Sequence, residues 1–212
     1  MIDLDLRSCE LCPRLCRVNR EEKPGACGCG ARLFAARAAL HFGEEPCISG
    51  AEGSGTVFFS GCNLHCVFCQ NHKISRERYG RELTAARLSD IFRELEEKGA
   101  NNINLVTPTP WVTEIRKALR LYRPNVPVLY NTSGYERVEV LRELEGLVDV
   151  WLPDYKYADS ALAARFSGAA DYPAVARAAL QEMYRQSGNL TLNKEGKAVR
   201  GVMIRHLVLP LH

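Results

Sequence analysis

The chain has 212 residues, a formal net charge of +3 and 46% hydrophobic residues, which allows one domain or one large domain with a small appendage. No apolar run approaches the roughly 20 residues of a membrane span, and no hydrophobic stretch of a secretion signal precedes Cys9. We therefore expect a cytoplasmic protein without a membrane partner. We interpret its nine cysteines as metal ligands in a reducing compartment rather than as a disulfide framework.

A small basic cluster lies near the N-terminus at Arg14, Arg17 and Arg20. No aromatic residues are interleaved with these arginines, which favours a solvated face over a surface that binds nucleic acid. We therefore expect no nucleic-acid partner.

The first 30 residues form a turn-rich segment with five cysteines. Cys9, Cys12, Cys16 and Cys27 have the spacing C-x2-C-x3-C-x10-C, with Cys29 as a spare. Prolines and glycines predict a knuckle of turns, and so little apolar surface predicts that a bound metal supplies the stability. Four thiolates suit structural zinc or an auxiliary iron–sulfur cluster. Both interpretations stay open here, as does a set of unligated thiols.

Residues 31–55 are expected to connect this knuckle to the rest of the chain. The run at 33–40 fits either a strand or a short helix, and turn-forming residues follow it, among them Glu44, Glu45 and Pro46. Cys47 stands alone and is interpreted as a core residue. We place the boundary near residue 50, with a Cys-rich segment and connector at 1–50 and the main domain at 51–212.

A second group of cysteines, Cys62, Cys66 and Cys69, has the spacing C-x3-C-x2-C and follows an apolar run that predicts a short buried strand. Three thiolates can bind three irons of a cubane 4Fe-4S cluster and leave the fourth iron open for a small molecule. A zinc knuckle or three unrelated buried cysteines are the alternatives. Structural zinc sites need four ligands, and this triplet lacks the fourth.

From Thr56 onward the chain alternates between apolar runs and amphipathic stretches. The runs predict five strands, at 56–60, 103–106, 126–130, 148–152 and 202–209, with a hairpin near 194–196. The stretches predict helices: one between the N-cap Thr84 and Gly99, one capped by Thr109, and others through 138–144, 159–166 and 173–186. This alternation predicts an α/β fold in which a parallel sheet curves into a partial (β/α) barrel.

Polar residues follow the second, third and fourth predicted strands, at the end where a barrel carries its active site, and the fifth predicted strand carries Arg205 within it. The candidates are Thr107, Thr109, Asn131, Thr132, Ser133, Asp154, Lys156 and Arg205. Threonine and asparagine can also cap helices at such positions. The adjacent acid and base at Asp154 and Lys156 favour a functional site or an ion pair over a surface accident.

These motifs together resemble the radical S-adenosylmethionine (SAM) enzymes. Residues 60–71 match the cluster motif. Residues 37–46, 102–109 and 183–186, together with Cys-x-x-Cys-Pro-Arg-x-Cys at Cys9–Cys16, resemble the group named for its likeness to pyruvate formate-lyase activating enzyme. The family fold is a partial (β/α)6 barrel. Since only five strands are predicted, the chain is expected to be truncated at its C-terminus.

The resemblance implies a 4Fe-4S cluster on Cys62, Cys66 and Cys69, and SAM bound to its open iron. It places Phe68 near the adenine, and Asn131, Thr132 and Ser133 near the ribose or carboxylate. Asp154 and Lys156 match the Asp-x-Lys motif that steadies the SAM carboxylate, and Arg205 is a second cationic candidate. Thr107 and Thr109 stand where many relatives carry Gly-Gly-Glu, so the contact to the methionyl amine is expected to differ.

The resemblance also implies a reaction and partners. SAM is cleaved reductively to a 5′-deoxyadenosyl radical that abstracts hydrogen from a substrate. A flavodoxin or ferredoxin is the implied reductant, and a glycine of a partner glycyl-radical enzyme is one candidate substrate. A different protein or small-molecule substrate is the alternative, and a metal-binding or electron-transfer module without catalysis is a third hypothesis. No protein side chain is expected to act as a nucleophile or acid–base catalyst.

Overall fold

The computed structural model describes residues 4–77 and 79–208, which contain a single eight-stranded sheet flanked by helices. The strands are β1 Leu33–His41, β2 Ser54–Phe59, β3 Arg81–Leu83, β4 Ile103–Val106, β5 Val128–Thr132, β6 Val150–Pro153, β7 Thr191–Leu192 and β8 Ala198–Val202. The helices are α1 Pro46–Ser49, α2 His72–Glu77, α3 Ala85–Glu97, α4 Val112–Leu121, α5 Val138–Arg142, α6 Ser160–Ser167 and α7 Tyr172–Ser187. Two short 3-10 turns lie at Leu6–Ser8 and Thr109–Trp111.

The sheet is mostly parallel, with the strand order β3-β1-β2-β4-β5-β6-β8-β7. Strands β2, β4, β5, β6 and β8 pair in parallel. The first four correspond to predicted strands, whereas β8 shares only Val202 with the predicted strand at 202–209. Strands β1, β3 and β7 add antiparallel pairs at the two sides. The predicted α/β class and partial barrel are confirmed. The ambiguous run at 33–40 is a strand, and β7 and β8 form the predicted hairpin.

Helix α3 shows how the sequence sets the core. The Thr84 side chain accepts a hydrogen bond from the Arg87 amide and starts the helix, and Gly99, at φ +83°, follows its end. The predicted apolar face, Leu88, Ile91, Phe92 and Leu95, is buried against the sheet in one hydrophobic cluster. None of the described helices is long and apolar enough to cross a membrane.

Two predicted local structures are wrong. Thr109 is not the N-cap of a helix; it lies inside the short 3-10 turn, and its hydroxyl donates to the carboxylate of Glu136 instead. The predicted strand at 202–209 is misplaced: β8 spans Ala198–Val202, and the described residues after it, 203–208, form a bridge to the sheet at Arg205 but no strand. Ile204 is 54% exposed and Val208 is 78% exposed, so burial does not hold them in the sheet.

The N-terminal arginines are structural rather than solvated, which corrects the sequence-based interpretation for Arg20 and Arg14. Arg20 is 2% exposed; its guanidinium donates to the carbonyl groups of Gly30 and Pro110 and stacks over the Trp111 ring. Arg14 donates to the carbonyl of Asn63 at 2.9 Å. Only Arg17 points outward, in an exposed ion pair. The cysteine-rich segment is thus attached to the main sheet by buried side-chain donors.

Gly134, just after β5, tests how tightly the strand ends are packed. It has φ +77°, and a Cβ there would lie 2.3 Å from the Asp154 carbonyl oxygen. Gly146 has the same φ but open space around it, so it is a matched control. We expect Gly146→Ala to cost about 1–2 kcal/mol from backbone strain alone. Gly134→Ala should cost roughly 1–3 kcal/mol more, because the new methyl group collides with backbone.

The measurement is the thermal unfolding midpoint of both variants at equal metal content. Each 1 kcal/mol should lower the midpoint by roughly 2–4 °C in a protein of this size. Equal midpoints for the two variants would contradict the described contact between the two strand ends.

Candidate active site

One large cavity of about 990 Å3 opens at the carboxyl ends of the parallel strands. Because the strands run in the same direction, their exits meet at this rim. The lining brings together all but one of the residues predicted for the barrel site: Cys62, Cys66, Phe68, Cys69, Thr107, Asn131, Thr132, Ser133, Asp154, Lys156 and Arg205. Thr109 is the exception, since it is 1% exposed and does not line this cavity.

The three motif cysteines lie on the loop between β2 and α2. Arg76, in α2, donates to the carbonyl groups of His65 and Cys66 and so fixes the middle of this loop to the helix that follows it. Ser167 donates to the Cys66 sulfur at 2.9 Å. Burial, with the neighbouring Cys66 and Cys69, raises the pKa of the Cys62 thiol to about 12. The loop therefore carries three thiols into one wall of the cavity.

The three thiols share a cavity but are not arranged around a common point. Among the described residues, no group of three or more His, Cys, Asp or Glu side chains is already arranged to hold a metal ion. The Cys66 sulfur faces Ser167, whereas the Cys69 sulfur lies 3.5 Å from the Ser75 hydroxyl. The donor set and its common cavity fit a three-thiolate cluster, provided that the side chains turn toward one another.

Opposite the cysteines, charged groups form a network around Asp154. One carboxylate oxygen is 2.6 Å from the Lys156 ammonium group, and the other is 3.1 Å from the Arg205 guanidinium. Arg205 also donates to the side-chain oxygen of Asn131 at 2.5 Å. A parallel bridge between the Asp154 and Arg205 backbones fixes this geometry beyond the end of β8. The cavity therefore has two cations joined by a carboxylate that they share.

Sequence analysis missed Glu44 and Glu45 as members of this site. Glu44 lies 3.3 Å from Arg205 and accepts a hydrogen bond from Asn104. Burial raises its pKa, and the attraction of Arg205 opposes that shift. Both carboxyl groups line the cavity. The available signal was two adjacent acidic residues in a connector of low charge, which the sequence analysis assigned to a turn.

Two residues of the cavity wall are unusual: one has an unpaired polar group, and the other has a strained backbone. The Ser133 hydroxyl is buried without a hydrogen-bond partner among the described residues. Thr107 has φ +58°, in the left-handed region that residues with a Cβ rarely adopt. Such strain is concentrated at functional sites, where the surrounding structure enforces it. Both residues lie at strand exits on the same cavity.

The N-terminal cysteines lie around a separate cavity of about 10 Å3. All four predicted ligands, Cys9, Cys12, Cys16 and Cys27, line it, together with Arg20 and Asn63. Burial raises the pKa of the Cys12 thiol to about 12, whereas the hydrogen bond with Cys29 lowers that of Cys27 to about 6. The structure thus gathers this cysteine set too. All nine cysteines are described, and none forms a disulfide.

Two outlying cysteines have structural surroundings. Cys29 is 1% exposed, and its sulfur would lie 2.0 Å from a Cβ at Gly61, the residue before Cys62. Cys47 is half-buried, with its sulfur 4.0 Å from that of Met203, and packs against a hydrophobic cluster. Neither lines the cavity of the other N-terminal cysteines.

Comparison with known proteins agrees with the fold and the cysteine motif. The family model of the radical SAM superfamily matches residues 56–179, which is more than half of the chain. The chain belongs to this superfamily, whose members use a 4Fe-4S cluster and SAM. It is also 32% identical to the protein named uncharacterized protein MJ0674 of Methanocaldococcus jannaschii, over 97% of the chain and 58% of that protein. The chain thus spans little more than half the length of this relative.

A buried carboxyl group between the two cavities gives a test of the site's electrostatics. Glu136 accepts hydrogen bonds from Thr109 and Thr132, yet burial raises its pKa from 4.5 to about 7. A raised folded-state pKa means that ionisation above pH 4.5 costs stability. That cost grows until the pH passes about 7 and is then constant.

Glu136→Gln removes this cost and keeps an oxygen acceptor for both threonines. We expect the variant to gain stability over wild type as pH rises from about 4.5 to about 7, reaching on the order of 3 kcal/mol. Thermal midpoints across this range, at equal metal content, measure the gain. A gain that shrinks with rising pH would have the wrong sign for a buried carboxyl group.

Proposed function

We propose that the protein cleaves SAM reductively at a cluster held by Cys62, Cys66 and Cys69, and abstracts hydrogen from a glycine backbone of a partner protein. Radical SAM chemistry follows from family membership; the substrate and the individual residue roles are the proposal. The carrying observation is that the three cysteines and the Asp154–Lys156–Arg205 network line one cavity. When bound, the reduced cluster supplies one electron that splits SAM into methionine and a 5′-deoxyadenosyl radical.

In this proposal, Lys156 and Arg205 bind the methionyl carboxylate. A carboxylate in a partly dry pocket needs cationic donors, because burying it unpaired is costly. Asp154 holds both cations in place, and Glu44 contacts Arg205 as well; the N–H groups of Lys156 and Arg205 that these carboxylates do not use are assigned to the ligand. Asn131 fixes the Arg205 guanidinium by accepting a hydrogen bond from it.

Other residues of the cavity lining are assigned to the rest of SAM. The buried hydroxyl of Ser133 gains a partner in the ribose or carboxylate, which resolves its lack of one among the described residues. Thr132 lines the same wall, and Thr107 presents the left-handed turn at which relatives have glycine. Phe68, whose ring lies 6.3 Å from that of Tyr157, is placed to pack on the adenine. Glu44 also lines the cavity and can accept a hydrogen bond from the methionyl amine. It would replace the glutamate of the Gly-Gly-Glu motif that this chain lacks.

The assignment of a protein substrate is supported by the cavity and its surroundings. A volume of about 990 Å3 is at the upper end of the range for small-molecule sites, so SAM leaves room for a further group. The exposed apolar side chains of Phe42, Val67 and Leu207 adjoin or belong to the lining segments. Exposed apolar groups around a mouth suit a macromolecular partner. A small-molecule substrate is the alternative within the same chemistry.

A module that only transfers electrons is disfavoured by the same site. Such a cluster needs a fourth thiolate, whereas the cavity lining in the described part of the chain carries three cysteines. The nine cysteines without a disulfide suit a reducing cytoplasm, where flavodoxin or ferredoxin serves as the electron donor.

The cluster assignment is tested with Cys66→Ala and the matched control Cys47→Ala. Anaerobically reconstituted wild type should release 5′-deoxyadenosine from SAM when dithionite is added. Cys66→Ala should lose this release by at least 100-fold, because two thiolates cannot hold the cluster in a reactive form. Cys47→Ala should retain it, since Cys47 lies outside the cavity. Equal loss in both variants, or none in either, would contradict the assignment.

The carboxylate contact is tested with Lys156→Met, compared with the exposed Lys117→Met. Losing a charge-assisted hydrogen bond of roughly 1.5–3 kcal/mol should raise the KM for SAM about 10–100-fold. Lys117→Met should leave KM unchanged. A fall in kcat at constant KM in Lys156→Met would place the lysine elsewhere in the reaction.

The substrate is tested by growing the source cells in deuterated glycine and adding extracts to the reconstituted enzyme with SAM. Transfer of deuterium into 5′-deoxyadenosine, dependent on a macromolecular fraction, is the expected result. Transfer that persists after proteins are removed by filtration would show a small-molecule substrate, while leaving SAM cleavage intact.

A further inference from the structure

The cavity of the N-terminal cysteines is too small for a second cluster. It holds about 10 Å3, which is roughly the space of one water-sized sphere. A cubane contains four irons and four sulfides and cannot enter such a space. A single metal ion with short bonds to four sulfurs can. The space that these cysteines line therefore matches a single ion better than a second cluster.

Charge supports the same conclusion. Arg20 is 2% exposed, and its guanidinium donates hydrogen bonds to the backbone carbonyl groups of Gly30 and Pro110. No carboxylate forms an ion pair with it among the described residues. A buried cation without an anion is strongly unfavourable. Arg20 lines the cysteine cavity, so the sulfurs of this cavity are the groups that can face it as anions.

The backbone around the cavity forms a closed loop that carries two of the four cysteines. The Cys9 amide donates to the Val18 carbonyl, and the Arg17 amide donates to the Cys9 carbonyl, which closes a loop that contains Cys12 and Cys16. Leu15 and Arg17 have φ of +42° and +51°, so the turn on either side of Cys16 is strained. A Cβ at Gly25 would lie 3.2 Å from the Cys16 sulfur and 3.7 Å from the Cys27 sulfur. Two ligands from distant positions therefore meet beside this glycine.

We infer that Cys9, Cys12, Cys16 and Cys27 bind one structural divalent ion of the zinc class, with Arg20 as its buried counter-cation. Four thiolates around a divalent ion leave two negative charges, and Arg20 offsets one of them. Since the thiols are not yet arranged to hold a metal ion, binding turns their side chains toward the cavity they already line.

The ion site supports the loop that carries the other three cysteines. Asn63, next to Cys62, lines the small cavity, and Arg14 from the knuckle donates to its carbonyl at 2.9 Å. Cys29 packs so closely on Gly61 that a side chain could not be accommodated there. The ion therefore positions the back of the cluster loop and takes no part in electron transfer.

The test uses the full chain with Cys62, Cys66 and Cys69 all changed to serine, which removes the cluster ligands. Metal analysis should find about one zinc and almost no iron per chain. X-ray absorption at the zinc edge of both wild type and variant should show about four sulfur neighbours at about 2.3 Å. If the variant fails to fold, the zinc-edge spectrum of wild type still tests the proposal.

Two outcomes would overturn the proposal. One is about four irons with matching sulfide in the triple variant, which would assign an auxiliary cluster. The other is wild-type protein without zinc, or with nitrogen and oxygen around it. Neither depends on SAM cleavage, so failure here is separate from failure of the proposed function.

The role of Arg20 is tested with Arg20→Met against the exposed control Arg17→Met. Arg20→Met should release zinc to a chelator at least 10-fold faster, and Arg20→Lys should restore part of the retention because it restores the charge. Equal release rates for Arg20→Met and Arg17→Met would show that Arg20 is a packing residue only.

Discussion

The carboxylate of Asp154 is shared between two cations from different parts of the chain, and the shape of the large cavity depends on this sharing. Lys156 follows the same strand as Asp154, whereas Arg205 comes from the segment after β8. Glu44 contacts Arg205 as well, but Asp154 is the carboxylate that contacts both cations and so offsets the repulsion between them. The carboxylate thus ties the last described segment to the sheet at a point where apolar burial does not.

The same strand exits are joined by backbone contacts that leave little freedom. The Tyr172 hydroxyl contacts the carbonyl groups of Ser133 and Asp154, each at 2.8 Å, and the Lys156 amide at 2.9 Å. Gly134 fits only because it has no side chain. A binding site held by such contacts is preorganised, so less of the ligand's binding free energy goes into ordering it.

A second constraint comes from Arg20, the buried cation of the knuckle. It joins the cysteine-rich segment to Trp111 at the start of α4, and Trp111 in turn donates to the Ser60 carbonyl just before the cluster loop. The two cysteine sets are therefore neighbours through packed side chains, although their cavities are separate. A structural ion bound by the N-terminal cysteines can therefore order the cluster loop through these packed side chains.

Much of this arrangement could be predicted from sequence because it depends on local patterns. Four of the five parallel strands, the Thr84 cap and the cysteine spacings are local signals, and the strand exits follow from the βαβ rule. The role of Thr109 could not be predicted, because its hydroxyl binds Glu136, which is 27 residues away. The burial of Arg20 and the place of Glu44 beside Arg205 likewise depend on long-range contacts that no local pattern encodes.

The most direct test of the central claim is the electron paramagnetic resonance spectrum of the reduced protein with and without SAM. If SAM binds the open iron of a cluster held by three cysteines, its addition should change the spectrum of the reduced 4Fe-4S cluster, and the change should be weaker at equal SAM concentration in Lys156→Met. An intact reduced cluster whose spectrum is identical with and without saturating SAM would contradict the account.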